Sequence, residues 1–407
     1  MKKLKKKEIK AKSSNFKVNN KYKTISDGNL DNKNNENIPK VIKIRNPGVD
    51  FARVISMYCI VIHHFYYLGR GLQKYSKYQN QLRALEIMVF WHVDGFALIS
   101  GVVGYKTNKY SNLLYLWIEV LFYSILFHIY FSKIKLNSII DNKWIELFPM
   151  IYERYWYYTQ YFGMYLFLPV INKGISILSQ SELKVVVIST IGIFSFWRRI
   201  KNPRRDIFHL IGGSSSLWFM TFYLTGAYIG KYRKDYKGIK KYIYCFICLF
   251  VYGFSSFIAC KLLIYNKLFI YNGYYSQKII MVLKNLMNSN YDSLLTIIQS
   301  ISITLFCLQI NYHKYLSYII TFCGKLTFGV YLAHVNQLVI KNIFHKVFKN
   351  DPNNLTLFST IILFLGKGVK IFFICIFIDY LRNLLFVFLR IRNVCIFLEK
   401  IVFKIFG

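Results

Sequence analysis

Stretches of about 20 apolar residues recur along this chain, and they restrict its possible folds more than anything else in it. That length is what a helix needs to cross the hydrocarbon of a bilayer. Ten such blocks stand out: 49–68, 84–105, 112–131, 156–172, 185–200, 211–230, 242–260, 292–311, 326–344 and 357–381. Short basic loops separate them, the fourth and fifth are short, and the sixth contains Gly212-Gly213. The spacing predicts an all-α fold, a polytopic membrane bundle of about ten transmembrane helices. With 55% hydrophobic and 18% charged residues over 407 positions, the chain is too apolar for a disordered protein or an ordinary soluble enzyme.

The formal charge of +36, from 54 Lys and Arg against 18 acids, would suggest nucleic acid on a soluble surface. Here the lysines punctuate apolar stretches, and the abundance of Lys, Asn, Ile, Tyr and Phe resembles an AT-rich coding sequence. No nucleic-acid partner is therefore expected. Beside a bilayer, such a balance reads as attraction to anionic membrane lipid and anionic ligands. Residues 1–45 carry 14 Lys/Arg, 4 acids and no apolar run, which reads as a solvated, disordered tail. Its charge next to the first span predicts a cytoplasmic N-terminus, and an even number of spans returns the C-terminus to the same side. Residues 46–381 form the transmembrane domain. Residues 382–407, with Arg390, Arg392, Lys400 and Lys404 among apolar positions, predict an amphipathic helix on the inner leaflet. Eight cysteines lie almost entirely within apolar runs. Cys245-x-x-Cys248 has a metal or redox spacing, but its apolar flanks favour small buried hydrophobes, and no metal is expected.

Ionisable residues inside spans are costly and hence candidates for function. Arg53 and His64 are eleven positions apart, three helical turns plus about 20°, so they share a face about 16 Å apart along the axis. Asp50 lies one turn below Arg53, where it can hold the guanidinium. By the same arithmetic His63 sits about 80° off that face and is expected to look toward a neighbouring helix. In the second span, Asp94 is twelve residues from Lys106, so it is expected at the depth of His64, beside the imidazole, whose tautomer a carboxylate would fix. Ser100 and Gly104 form a small-xxx-small face suited to close helix approach. Glu119, inside the third span, is read first as an ion-pair partner for an interior cation. His128 is read as interfacial. The aromatics Trp144, Tyr152, Tyr155, Trp156, Tyr157 and Tyr158 are expected chiefly at the membrane interface, with sugar stacking as the alternative.

Arg53-x10-His64, Val93-Asp94-Gly-Phe96…Ile99-Ser100-Gly101, Trp156-Tyr-Tyr…Tyr165-Leu…Pro169 and Phe328-Gly-Val-Tyr331-Leu-Ala-His334 together resemble the integral-membrane acyltransferase 3 family. The likeness runs from about residue 49 to Asp379-Tyr-Leu-Arg382. It implies about ten helices and acetylation of surface polysaccharide from cytoplasmic acetyl-CoA. It also implies catalytic roles for His64 and Arg53, and a site role for His334. The family's Arg-x-x-Arg after the second span is replaced by Lys106-x-x-Lys109, which keeps the charge but loses bidentate phosphate recognition.

The residue chemistry agrees with that activity. Transfer to a sugar hydroxyl needs a base, and a histidine suits neutral pH. The phosphates of acyl-CoA need cations at the cytoplasmic mouth. Arg53, Lys106 and Lys109 are the expected donor contacts, with Lys231 and Arg233 further candidates. The expected function is a multi-pass O-acyltransferase, most simply an O-acetyltransferase, of the plasma (inner) membrane. Its acceptor would be a cell-surface polysaccharide or a lipid-linked precursor. A transporter or flippase for such a precursor is the alternative.

Overall fold

The computed structural model describes residues 45–133, 147–197, 206–265 and 290–406. The basic tail up to residue 44, Trp144, residues 198–205 and Gly407 lie outside the described residues. Helix accounts for 81% and no strand occurs among the described residues, so the fold is a helical bundle. Its helices are α1 (Pro47–Tyr67), α2 (Gln79–Val89), α3 (His92–Gly104), α4 (Tyr110–Lys133), α5 (Trp156–Leu166), α6 (Leu168–Ile177), α7 (Gln180–Ile191), α8 (Ser216–Tyr232), α9 (Gly238–Tyr265), α10 (Leu294–Gln309), α11 (Lys314–Val335), α12 (Gln337–Asn342), α13 (Leu357–Phe388) and α14 (Ile391–Phe406).

Local sequence sets many of the helix starts. Ser215, Ser293 and Thr356 accept hydrogen bonds from the backbone N–H groups of Trp218, Thr296 and Ser359, satisfying donors that the first turns of α8, α10 and α13 leave open. Ser179 and Glu182 close a reciprocal capping box on α7. Pro169 sits in the first turn of α6, and the apolar block 156–172 divides there into α5 and α6.

Five helical segments among the described residues are long and apolar enough to cross a membrane: Ser76–Gly104, Tyr110–Lys133, Gly238–Leu262, Lys314–Val335 and Leu357–Phe388. Every apolar block falls largely on helix so far as it is described, although the block 326–344 straddles the break at Asn336 between α11 and α12. Length and apolarity support five spans rather than establishing ten. The helix α10 has only 16 residues, and α1 carries Asp50, Arg53 and two histidines. Rows of apolar side chains point outward on α9 (Phe246, Phe250, Phe254, Phe257) and α13 (Phe358, Ile362, Phe373, Phe377). Water would penalise such surfaces, and lipid suits them.

The helix α1 packs against α3, α10, α11 and α13. One apolar cluster joins α1 to α4, α11 and α13, and another joins it to α3, α8 and α10. The seam between the two runs along α1. Beyond Phe388 the chain turns at Arg390, whose φ is 53°, and α14 returns against the start of α4 through Phe403 on Tyr110 and Arg392 on Asn112. The preceding span thus continues to Phe388 rather than ending at 381.

Candidate active site

Residues 53, 57, 60 and 64 follow one face of α1, and the helix is continuous across them. At the lower end Arg53 donates from Nη1 to Asp50 Oδ1 at 2.9 Å, the pairing that the three-residue spacing predicts. Farther along, Met57, Ile60 and His64 wall a cavity of about 170 Å³. The other walls are His92, Val93 and Phe96 of α3, Trp156 and Tyr157 of α5, Phe328 and Tyr331 of α11, Tyr291 before α10, and His63.

The partner of His64 is another histidine. His64 Nδ1 lies 3.0 Å from His334 Nε2, and His334 Nδ1 lies 2.6 Å from the carbonyl oxygen of Val330. A carbonyl only accepts, so His334 Nδ1 carries the proton and, in the neutral ring, Nε2 carries the lone pair. His64 must then donate from Nδ1. Its Nε2 is left with the lone pair, as the basic nitrogen of the relay.

That geometry corrects the expectation for Asp94. Its Oδ1 accepts from Trp218 Nε1 at 3.0 Å, within the packing of α3 on α8. The difference is one of azimuth around α3. Two residues after His92, Asp94 is rotated about 200° around α3 from the cavity-facing His92 and Phe96 stripe. His334 takes the place that the carboxylate was expected to fill.

His63 also departs from expectation, because it lines the same cavity as His64. Its ring lies 5.8 Å from that of His64 and 5.0 Å from that of His92. Its Nδ1 is 3.6 Å from Glu86 Oε1. Sequence reading passed over His92, Tyr157, Phe328 and Tyr291 as cavity residues. The only available signal was the four-residue spacing of His92 and Phe96. Tyr291 joins from far along the chain, its ring centroid 6.0 Å from that of Trp156. The cavity also retains unused hydrogen-bonding capacity. Both ring nitrogens of His92, the hydroxyl of Tyr331 and Nδ1 of His63 are buried with no hydrogen-bond partner among the described residues. Such groups suit a polar occupant. Nor does the interface hold all the aromatics expected there: Tyr155 and Tyr158 are buried, Trp156 and Tyr157 line the cavity, and Tyr152 stays exposed.

The remaining candidates lie outside the cavity. Glu119 meets Arg382 Nη2 at 3.0 Å, and Arg382 also clasps Asp379 from Nε and Nη2, so Glu119 belongs to a buried ion network. Ser100 donates to Phe96 O within its own helix. Gly101, rather than Ser100, sits where α3 touches α8, because a Cβ there would lie 2.0 Å from Tyr223 O. Lys106 and Lys109 are exposed in the loop joining α3 to α4. Asn172 ties that loop down, donating to Gly104 O and Thr107 O. Lys231 caps the carbonyls of Ile175 and Leu178, and Arg233 binds Asp235 and Leu308 O. Contacts between Tyr105 and Gly230, and between Phe51 and Tyr312 just past α10, put these cations at the same end of the bundle as Arg53. The eight cysteines are unpaired and buried or half-buried.

A family model described as an acyltransferase domain matches residues 46–380, most of the chain. No curated protein and no solved structure matches it.

Proposed function

The chain belongs to this acyltransferase family, and from that premise we propose that it is a membrane O-acetyltransferase drawing on cytoplasmic acetyl-CoA. Its acceptor is a hydroxyl of a cell-surface polysaccharide or a lipid-linked precursor. The enzyme sits in the plasma (inner) membrane with both termini cytoplasmic. The carrying observation is the His64–His334–Val330 relay on the wall of the cavity.

In this reading acetyl-CoA docks its phosphates at the end bearing Arg53, Lys106 and Lys109, and its pantetheine arm runs past Met57 and Ile60. The acceptor hydroxyl enters from the His64 end. His64 Nε2 takes the hydroxyl proton as the oxygen attacks the thioester carbonyl. The imidazolium so formed keeps its Nδ1–H bond to His334 Nε2, which holds the ring in place. The carbon–sulfur bond then breaks, and the proton passes to the departing thiolate. The products are an ester and a free thiol. Tyr331, His92 and His63 supply groups for the carbonyl or the sugar hydroxyls. A flippase would need a polar conduit for a whole precursor, whereas this cavity is compact and walled mainly by rings.

Mass analysis of surface glycans from cells with the gene, without it, and with His64→Ala tests the proposal. The expected result is an acetyl mass present only with the intact gene. Identical glycan masses in all three strains would overturn it.

A further inference from the structure

A second concavity, of about 610 Å³, lies at the far end of α1, beyond His64 and opposite the Asp50–Arg53 end. It falls within the size range of small-ligand sites. Gly69, Arg70, Gln73 and Lys74 line one side, and Lys341, His345, Lys346, Phe348 and Lys349 line the other. Among the described residues, no acidic side chain lies within ion-pair distance of Arg70, Lys341, Lys346 or Lys349. The nearest local acid, Asp351, is engaged by Lys367 at 2.6 Å. Lys74 donates to the carbonyls of Lys349 and Asp351, which fixes the two sides together. The field inside is positive. Burial first, and then the charges of Arg70 and Lys341, lower the His345 pKa below its ordinary value.

Two further observations tie this bowl to the chemistry. Gly69 N–H donates to His64 O at 2.9 Å, and the Phe344 ring lies tilted against that of His334, with centroids 5.8 Å apart. The bowl therefore begins just over one turn beyond His64, and Phe344, the neighbour of the bowl residue His345, touches the second ring of the relay. Arg70 also holds a left-handed backbone, with φ 56°, between two glycines. An arginine pays steric strain there that glycine would avoid.

We propose that this bowl binds phosphate or carboxylate groups of the acceptor, so that the acceptor is an anionic glycan presented by its charge to His64. The proposal rests on the acyl-transfer reading above. Arg70 supplies a planar fork for an oxyanion, and Lys341, Lys346 and Lys349 supply point charges for neighbouring units of the polymer. Lipid head groups share this chemistry but would be served by lysines anywhere on the rim. Here the cations converge on a concavity that adjoins the reacting histidine.

The test uses the full chain in phosphatidylcholine nanodiscs. Fluorescence polarisation reads its binding to labelled glycerol-phosphate oligomers, oligogalacturonate and neutral maltoheptaose. Both anionic probes should bind in a salt-dependent manner and maltoheptaose should not. Lys346→Glu with Lys349→Glu should weaken anionic binding at least about tenfold. Arg70→Gly should also weaken it while relieving the backbone, which separates lost binding from misfolding. Equal binding of the neutral probe, or unchanged anionic binding in both variants, overturns the proposal. A parallel arm replaces part of the lipid with phosphatidylglycerol. If this lipid alone occupies the bowl and no glycan probe binds, the site belongs to head groups and the proposal fails. His64→Ala should bind the anionic probes normally. A chain that binds them but acylates nothing therefore fails the enzymatic reading alone, whereas one that acylates only neutral glycans fails the bowl alone.

Discussion

At His64 the hydrogen bond to His334 fixes which nitrogen is basic, so the rings around the cavity should answer differently to substitution. His64→Ala should lower acyl transfer about 10²–10⁴-fold with normal protein abundance, the usual cost of a lost base. His334→Ala should also reduce turnover. His334→Gln, whose amide oxygen can still accept from His64 Nδ1, should recover part of the loss. Equal defects in Ala and Gln variants, measured as initial rates at matched abundance, would mean that His334 acts only by filling space. His63→Ala should lose less than tenfold, because Nε2 of His64 and not His63 carries the relay's lone pair; a loss as large as that of His64→Ala would reassign the base. At the donor end, Lys106→Glu with Lys109→Glu should raise the apparent KM for acetyl-CoA and leave kcat largely intact, since docking charges act on ground and transition states alike. An unchanged KM would give those lysines to lipid. The Arg53–His64 stripe and the Asp50 pairing were legible in the sequence because one unbroken helix contains them all. The His64–His334 bond was not, because 270 residues separate the partners, and no helical arithmetic reaches across them. His334 itself was legible, both as a motif residue and as an ionisable group inside an apolar block, but its partner was not.

Helices α3 and α8 touch backbone to backbone. A Cβ at Gly101 would lie 2.0 Å from Tyr223 O, and one at Gly226 would lie 1.9 Å from Leu98 O. The two helices interlock through these glycines, which also fixes Asp94 against Trp218. Gly226→Ala must push one backbone away from the other, at a cost of about 1–3 kcal/mol for overpacking. It should lower the unfolding temperature in detergent and reduce acyl transfer, because α3 carries His92 and Phe96. Gly253→Ala is the control: it lies on α9 with nothing within 4 Å of the added carbon, and there alanine should be neutral or mildly stabilising. Matching effects at both positions would remove the close crossing as the cause. The presence of small residues on α3 was readable in advance, but the register was not. Gly104 does lie against Tyr223 of α8, but the backbone contact runs through Gly101 and not Ser100, because the partner glycine comes from a helix more than a hundred residues later. Helix positions follow from local composition, whereas crossing points are set by pairs.

The membrane domain, Pro47 to Phe406, holds the Asp50–Arg53 pair and the exposed Lys106 and Lys109 at one end and its basic bowl at the other, with a cavity of rings and histidines between. The apolar blocks made the helical membrane fold legible, and the block 156–172 shows where that legibility stopped. Its continuous apolarity hid the division at Phe167 and the turn of Trp156 and Tyr157 inward to the cavity. A consequence of the relay concerns electrical work. Under the proposed sidedness, each turnover sends an acyl group outward and returns one proton inward, from the sugar oxygen through His64 to the thiol. Moving one elementary charge across 100 mV costs about 2.3 kcal/mol, enough to change a rate up to about fiftyfold in either direction. Here the outgoing acylium equivalent and the incoming proton cancel, and the histidines return to neutrality within the cycle. Collapsing the membrane potential with valinomycin and potassium should therefore leave the acylation rate unchanged, even though the group transferred has crossed the bilayer. A rate that tracks the voltage would show that a net charge moves with it, and that the relay is not the whole path of the proton.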